Sequence, residues 1–260
     1  MRHARGRRGG ALSATIGVVG ELLITAGVFL GLFVVWQLWW TDVQAGRIHT
    51  QVLAELEWPE PPPLQVDDGP AIASEHRDEP PVMEEPADET VFAELYVPRW
   101  GDDFVTPVAQ GVDKARVLDR LGAGHYPGTA MPGDLGNFAT AGHRTTYGKP
   151  YHQVADLKEG DPLVFRTEDT WYVYRTTTHE IVWPHEVEVI APVPGLQAGD
   201  PVPELTERLL TLTACHPMYS AAQRYIVHAE LDYWAPVEEG TPIELVEAGV
   251  QVRGIDDGEA

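Results

Sequence analysis

Three short segments of the 260-residue chain hold side chains that could form and then resolve an acyl intermediate: a histidine in AGHRTTYG (His143), a cysteine in TLTACHP (Cys215) and an arginine in QRY (Arg224). Cysteine attacks a carbonyl as its thiolate. A neighbouring imidazolium and guanidinium would raise the thiolate fraction and favour the anionic tetrahedral intermediate that follows. Cys215 is the only cysteine in the sequence, so it closes no disulfide within the chain. Taken singly, each residue also has a plainer reading: a small buried hydrophobe for Cys215, a turn cap for His143, a surface ion-pair partner for Arg224.

Such a site needs strands to hold it. If 211–214 end one strand and Arg224 opens the next, Cys215 and Arg224 lie at neighbouring strand ends joined by the loop 216–223. His143 enters from a separate loop, 142–147. Short runs rich in β-branched and aromatic residues, split by turn residues, predict strands at 92–97, 137–142, 163–167, 171–183, 187–193, 208–215 and 224–234. The domain at 91–250 is therefore mostly β, and 112–121 is its best internal helix candidate. A closed barrel is preferred to an open sandwich because closure removes exposed edges.

Ahead of this domain the composition changes twice. Arg2, Arg5, Arg7 and Arg8 crowd a basic tail at 1–10, and 11–40 is an apolar stretch in which only Glu21 carries charge. As a helix that run crosses a hydrocarbon core about 30 Å thick, and Trp36, Trp39 and Trp40 fall at its outer interface. It exceeds a signal-peptide core and no small-x-small cleavage pattern follows promptly, so it reads as a single transmembrane helix with a cytoplasmic N-terminus. Residues 41–58 continue the helical pattern until Trp58-Pro59 stops it. The next stretch, 59–90, holds eight prolines and ten acids and reads as a disordered linker. Residues 251–260 read as an acidic tail. Eighteen basic against forty acidic residues leave a net charge of −22, which repels phosphate backbones and argues against nucleic acid as a partner. No cysteine pair, HExxH spacing or EF-hand loop appears, so neither metal nor cofactor is expected, even with His216 and His228 in the domain.

The longer strings around the three residues resemble the sortases, most closely the class E sortases of high-GC Gram-positive actinobacteria. GHYPGTAMPGDLGNFATAGHRTTYGKPY (124–151) is similar to the segment that ends in the family's catalytic histidine, which falls on His143. LLTLTACHP (209–217) resembles the TLxTC motif, whose cysteine falls on Cys215, and the arginine shortly after it falls on Arg224. One departure is Ala214 where the motif has threonine, with Thr213 one place earlier; that threonine is thought to touch the substrate.

The resemblance implies an eight-stranded sortase-type β-barrel with one or two short helices. It also implies a cysteine transpeptidase acting on secreted proteins that bear a C-terminal LAxTG-like or LPxTG-like sorting signal. Cys215 would cleave after threonine through a thioester, and an amine of lipid II or peptidoglycan would resolve it. Thr213, Ala214, Tyr147, Thr145, Asn137 and His216 are the candidate substrate-binding residues, and His125 and Tyr126 are candidates to flank the groove. Competing readings are a pilin-polymerising sortase, an L,D-transpeptidase or papain-like hydrolase, and an inert membrane-tethered β module.

Overall fold

Short runs, most of them rich in β-branched and aromatic residues, build eight strands: β1 (Val91–Tyr96), β2 (Val105–Gln110), β3 (Ala123–His125), β4 (Gly136–Gly142), β5 (Pro162–Arg166), β6 (Thr170–Val182), β7 (Arg208–His216) and β8 (Gln223–Pro236). In this computed structural model, which describes residues 8–62 and 71–253, they close into a barrel in the order β1-β2-β3-β4-β7-β8-β6-β5. The expected eight-stranded barrel is present. Two neighbouring pairs are parallel, β2 with β3 and β4 with β7; the other pairs are antiparallel.

Residue alternation along a strand decides which face each side chain takes. Leu210, Leu212 and Ala214 of β7 enter the same interior cluster as Phe138, Phe165, Tyr174 and Val227. Aromatic edges fill that interior, with Phe138 and Phe165 meeting at 5.0 Å and 73°. A buried charge cluster closes another part of the barrel wall. Glu94 receives Arg166, Arg253 and the hydroxyl of Tyr96.

Several sequence expectations shift. The run 187–193 is not a strand; it makes a short 3-10 turn at Val187–Ile190. Only one turn of the expected helix at 112–121 forms, Lys114–Leu118, with Asp113 accepting from the Arg116 N–H at 2.8 Å. A second short helix, α2 (Ile243–Glu247), follows β8.

The anchor and its extension form one helix, α1 (Arg8–Glu55), about 72 Å long at 1.5 Å per residue, which ends before Trp58. It is long and apolar enough to cross a membrane. Residues 59–90 depart most from expectation. Residues 63–70 lie outside the described ones, but 71–90 run along the barrel. His76 exchanges backbone hydrogen bonds with Trp234, each 2.9 Å, and the Tyr172 hydroxyl donates to the Pro81 carbonyl at 2.7 Å. Composition reports the apolar area a segment can bury on itself, whereas this strap uses partners and surface supplied by the sheet. The tail expected at 251–260 also begins later, since Val252 is buried and Arg253 pairs with Glu94. Residues 254–260, and 1–7 of the basic tail, lie outside the described residues.

Because Phe138 projects into the barrel interior from β4, the strand that leads to His143, truncating it should loosen the barrel from within. Phe138→Ala is expected to lower stability by about 3–5 kcal/mol. Thermal unfolding of the detergent-solubilised chain, followed by near-ultraviolet circular dichroism, measures the shift.

Candidate active site

Strand register brings the three sequence candidates together. Gly142 of β4 sits opposite Ala214 of β7, and Cys215 of β7 sits opposite Arg224 of β8. One step past the Gly142–Ala214 pair come His143 and Cys215. Cys215 and Arg224 form one rung, and the chain leaves β4 at His143 beside it, the three strands being spaced about 4.8 Å apart. The rungs below it on the outward face are Ala141–Thr213–Ile226 and Ala139–Thr211–His228. The β4 residues of these rungs, Ala139 and Ala141, are small and buried, whereas Cys215 is partly exposed.

The histidine is oriented by a residue that no motif announced. Its Nε2 lies 2.6 Å from Oδ1 of Asp119, whose other oxygen is 2.9 Å from Nζ of Lys114. Among the described residues Nδ1 has no hydrogen-bond partner. The Tyr147 ring stands 5.2 Å from the imidazole, and Lys114 Nζ lies 5.3 Å over the same ring. Tyr147 holds φ at +54°, a left-handed conformation that costs a non-glycine residue about 1–3 kcal/mol.

Two arginines adjoin Cys215, Arg224 across the β7–β8 register and Arg144 at the Cys215 carbonyl. Arg224 donates from Nη1 to the carbonyls of Ala221 and Gln223 at 3.0 and 2.9 Å, which ties it to its own loop. Arg144, next to His143 in the sequence, was not singled out. It is 7% exposed and donates from Nη1 toward the Cys215 carbonyl at 3.4 Å. The same Nη1 lies 3.0 Å from Nδ1 of His216, and the guanidinium sits 5.4 Å over the Tyr225 ring. Neither arginine meets a carboxylate among the described residues.

The remaining candidates divide. Thr213 faces the groove, with Oγ1 3.0 Å from the Tyr126 hydroxyl. Thr145 lies partly exposed in the loop after His143. His216 is held by Arg144 beside the cysteine. Ala214 turns the other way: it is 2% exposed and belongs to the barrel interior. Its partner Gly142 has Tyr151 beneath it, with ring atoms 2.7 Å from where a Cβ would stand. A threonine at 214 would place its hydroxyl inside the barrel, so in this chain the departure bears on packing around Tyr151 and not on a groove contact.

Asn137 is also turned from the rung. Its amide donates to the carbonyls of Val189 and Ala191 at 3.2 and 3.0 Å and accepts from Thr211 at 2.9 Å, pinning the 183–207 connection. His125 does not flank the groove. It lies in the core with Nδ1 2.7 Å from Gln110 and Nε2 3.0 Å from the Ala130 carbonyl, and burial pushes its pKa down. Among the described residues no three His, Cys, Asp or Glu side chains converge as a metal site would require.

A comparison with known proteins agrees with this geometry. The family model of the Sortase domain matches residues 95–232. Sortase SrtE1 of Streptomyces coelicolor is 37% identical over 251 residues, covering 94% of this chain; the chain spans 65% of that relative's length. The structure of SrtA sortase from Actinomyces oris superposes with a TM-score of 0.62 at 39% identity, covering 70% of this chain and all of that one. The crystal structure of sortase E1 from Streptomyces coelicolor, with a tripeptide in its active site, gives 0.54 at 37% identity and covers 60% of this chain and 97% of that one. The chain belongs to the sortase family, with its class E members.

Proposed function

We propose that the protein is a membrane-anchored sortase transpeptidase that cuts an LAxTG-like sorting signal after threonine and joins the new acyl end to a cell-wall amine. The placement of His143 beside the Cys215–Arg224 rung carries this reading. The tripeptide in the active site of the Streptomyces coelicolor sortase E1 structure supports a peptide in the corresponding groove here. Partly exposed Cys215 speaks against an inert module, which would seal the thiol in the core.

The chemistry follows from the placement. The Cys215 thiolate attacks the threonine carbonyl carbon, and Arg224 lies on the same rung, where charge develops on the carbonyl oxygen. The bond to the glycine nitrogen breaks as His143 gives that nitrogen a proton, leaving a thioester on Cys215. An acceptor amine then attacks the thioester carbonyl, His143 takes its proton, and the thiolate leaves as the new amide forms. Thr213, Tyr126, Tyr147, Thr145 and His216 surround the position the peptide would take. Asn137 acts indirectly by fixing the connection over the groove. The arginines of the first eight residues and the apolar half of α1 support a cytoplasmic N-terminus and a catalytic barrel outside the cell.

Mass spectrometry tests the reading directly: the full chain is incubated with an LAxTG peptide and a diaminopimelate- or glycine-type amine. Ligated product and a thioester on Cys215, both absent in Cys215→Ala, are expected; intact peptide with an unmodified thiol, LPxTG being refused as well, would overturn it. Arg224→Ala should lower kcat by about 10²–10³-fold, the usual effect of removing one oxyanion donor. Asp119→Ala should reduce kcat by about 10–100-fold with KM nearly unchanged, because it frees the imidazole without touching peptide contacts. A rise in KM alone would instead make Asp119 a binding residue.

A further inference from the structure

The outer part of α1 does not stand clear of the barrel. Ala45, His49 and Leu53, one stripe at four-residue spacing, are buried, whereas the apolar side chains further toward the N-terminus, such as Leu22, Phe29 and Val35, are exposed. Two clamps hold the stripe in register. At its lower end Asp42 pairs with Lys149 at 3.0 Å and accepts from the Gly148 N–H at 3.3 Å. Gly148, at φ +75°, brings the loop so close that a Cβ there would lie 2.8 Å from the His49 ring. At the upper end Arg253 donates to the Leu56 carbonyl at 3.2 Å and Arg166 donates to the Pro59 carbonyl. The Trp58 ring lies 5.8 and 6.0 Å from those two guanidinium groups.

The two clamps are at opposite ends of the barrel relative to the membrane. Asp42 follows Trp39 and Trp40, the aromatic pair placed at the outer interface, by only a few ångströms of helical rise. The loop it holds is the one that begins at His143, whose carbonyl accepts from the Tyr151 N–H at 3.0 Å. Leu56 stands about 21 Å further along the helix. β4 and β7 are parallel and both end at the reactive rung, so His143 and Cys215 share the Asp42 end.

We infer that α1 is docked on the barrel in fixed register and turns the His143–Cys215 end, not the Arg166–Arg253 end, toward the headgroup level of the bilayer. The net charge of −22 would by itself drive the domain away from an anionic membrane; the docked helix opposes that repulsion mechanically. The inference rests on the membrane-anchored part of the proposed function and adds the orientation of the barrel on its anchor. It does not need the enzyme to be active in order to be tested.

Cys215→Ala removes the native thiol, so one introduced cysteine can carry a fluorophore in the full chain, reconstituted into phosphatidylcholine–phosphatidylglycerol vesicles. Thr146→Cys reports the Asp42 end and Glu168→Cys the exposed turn beyond Arg166. Lipids with a nitroxide at the headgroup should quench the probe at 146 severalfold more than the probe at 168. Asp42→Lys should shrink that difference, and Asp42→Lys with Lys149→Asp should restore it. Equal quenching at both positions, or a difference indifferent to both Asp42→Lys and Trp58→Ala, overturns the inference, while loss of ligation activity alone leaves it standing.

Discussion

The parallel pairing of β4 with β7 is the constraint on which the site depends. It makes two strands from distant parts of the chain end side by side and on the same level, with Gly142 opposite Ala214. The antiparallel return of β8 then brings Arg224 across from Cys215. A one-residue slip between β4 and β7 would turn either His143 or Cys215 toward the barrel interior, because strand side chains alternate with a period of two. The interior side of this register is fixed by close fit: Tyr151 occupies the space under Gly142, and its hydroxyl lies 2.7 Å from that of Thr140.

Parallel neighbours cannot be joined by a tight turn, so each such pair sends a long connection across the barrel. These connections furnish the site. The crossover at 111–122 between β2 and β3 carries Lys114 and Asp119 to the imidazole. The path from β4 to β7 includes 183–207, where Val189 packs on Ile226 and its carbonyl meets Asn137 and Thr211. A buried network of this kind is worth its desolvation only when every member is satisfied, and Thr211 meets that condition through Asn137, Val189 and His228.

The three candidate residues were legible because they sit in contiguous strings, AGHR, TLTACHP and QRY, and because strand spacing already implied that Cys215 and Arg224 would be neighbours. Asp119 and Arg144 were not, for different reasons. Asp119 is one of forty acids and meets His143 only through a crossover that local sequence does not place. Arg144 lies inside the histidine motif, yet its burial depends on the Tyr225 ring of a strand some eighty residues away. β2 and β3 escaped for want of pattern, being short and interrupted by Pro107 and Gly124. The 59–90 stretch misled because proline and acid content suits an extended strap as well as a solvated spacer.

Charge placement adds a further constraint on the site. The chain has more than twice as many acids as bases, and among the described residues Arg77, Arg99, Arg116, Arg166, Arg175 and Arg253 each meet at least one carboxylate. Arg144 and Arg224 instead meet carbonyls, an imidazole and an aromatic face. A paired guanidinium has much of its field cancelled by its partner, whereas an unpaired one in a partly buried setting keeps that field for whatever negative charge appears nearby. The carboxylate that does approach the rung, Asp119, is directed to the imidazole and balanced by Lys114. Charges of opposite sign are thus kept apart, with Arg144 and Arg224 beside Cys215 and the carboxylate of Asp119 on the imidazole.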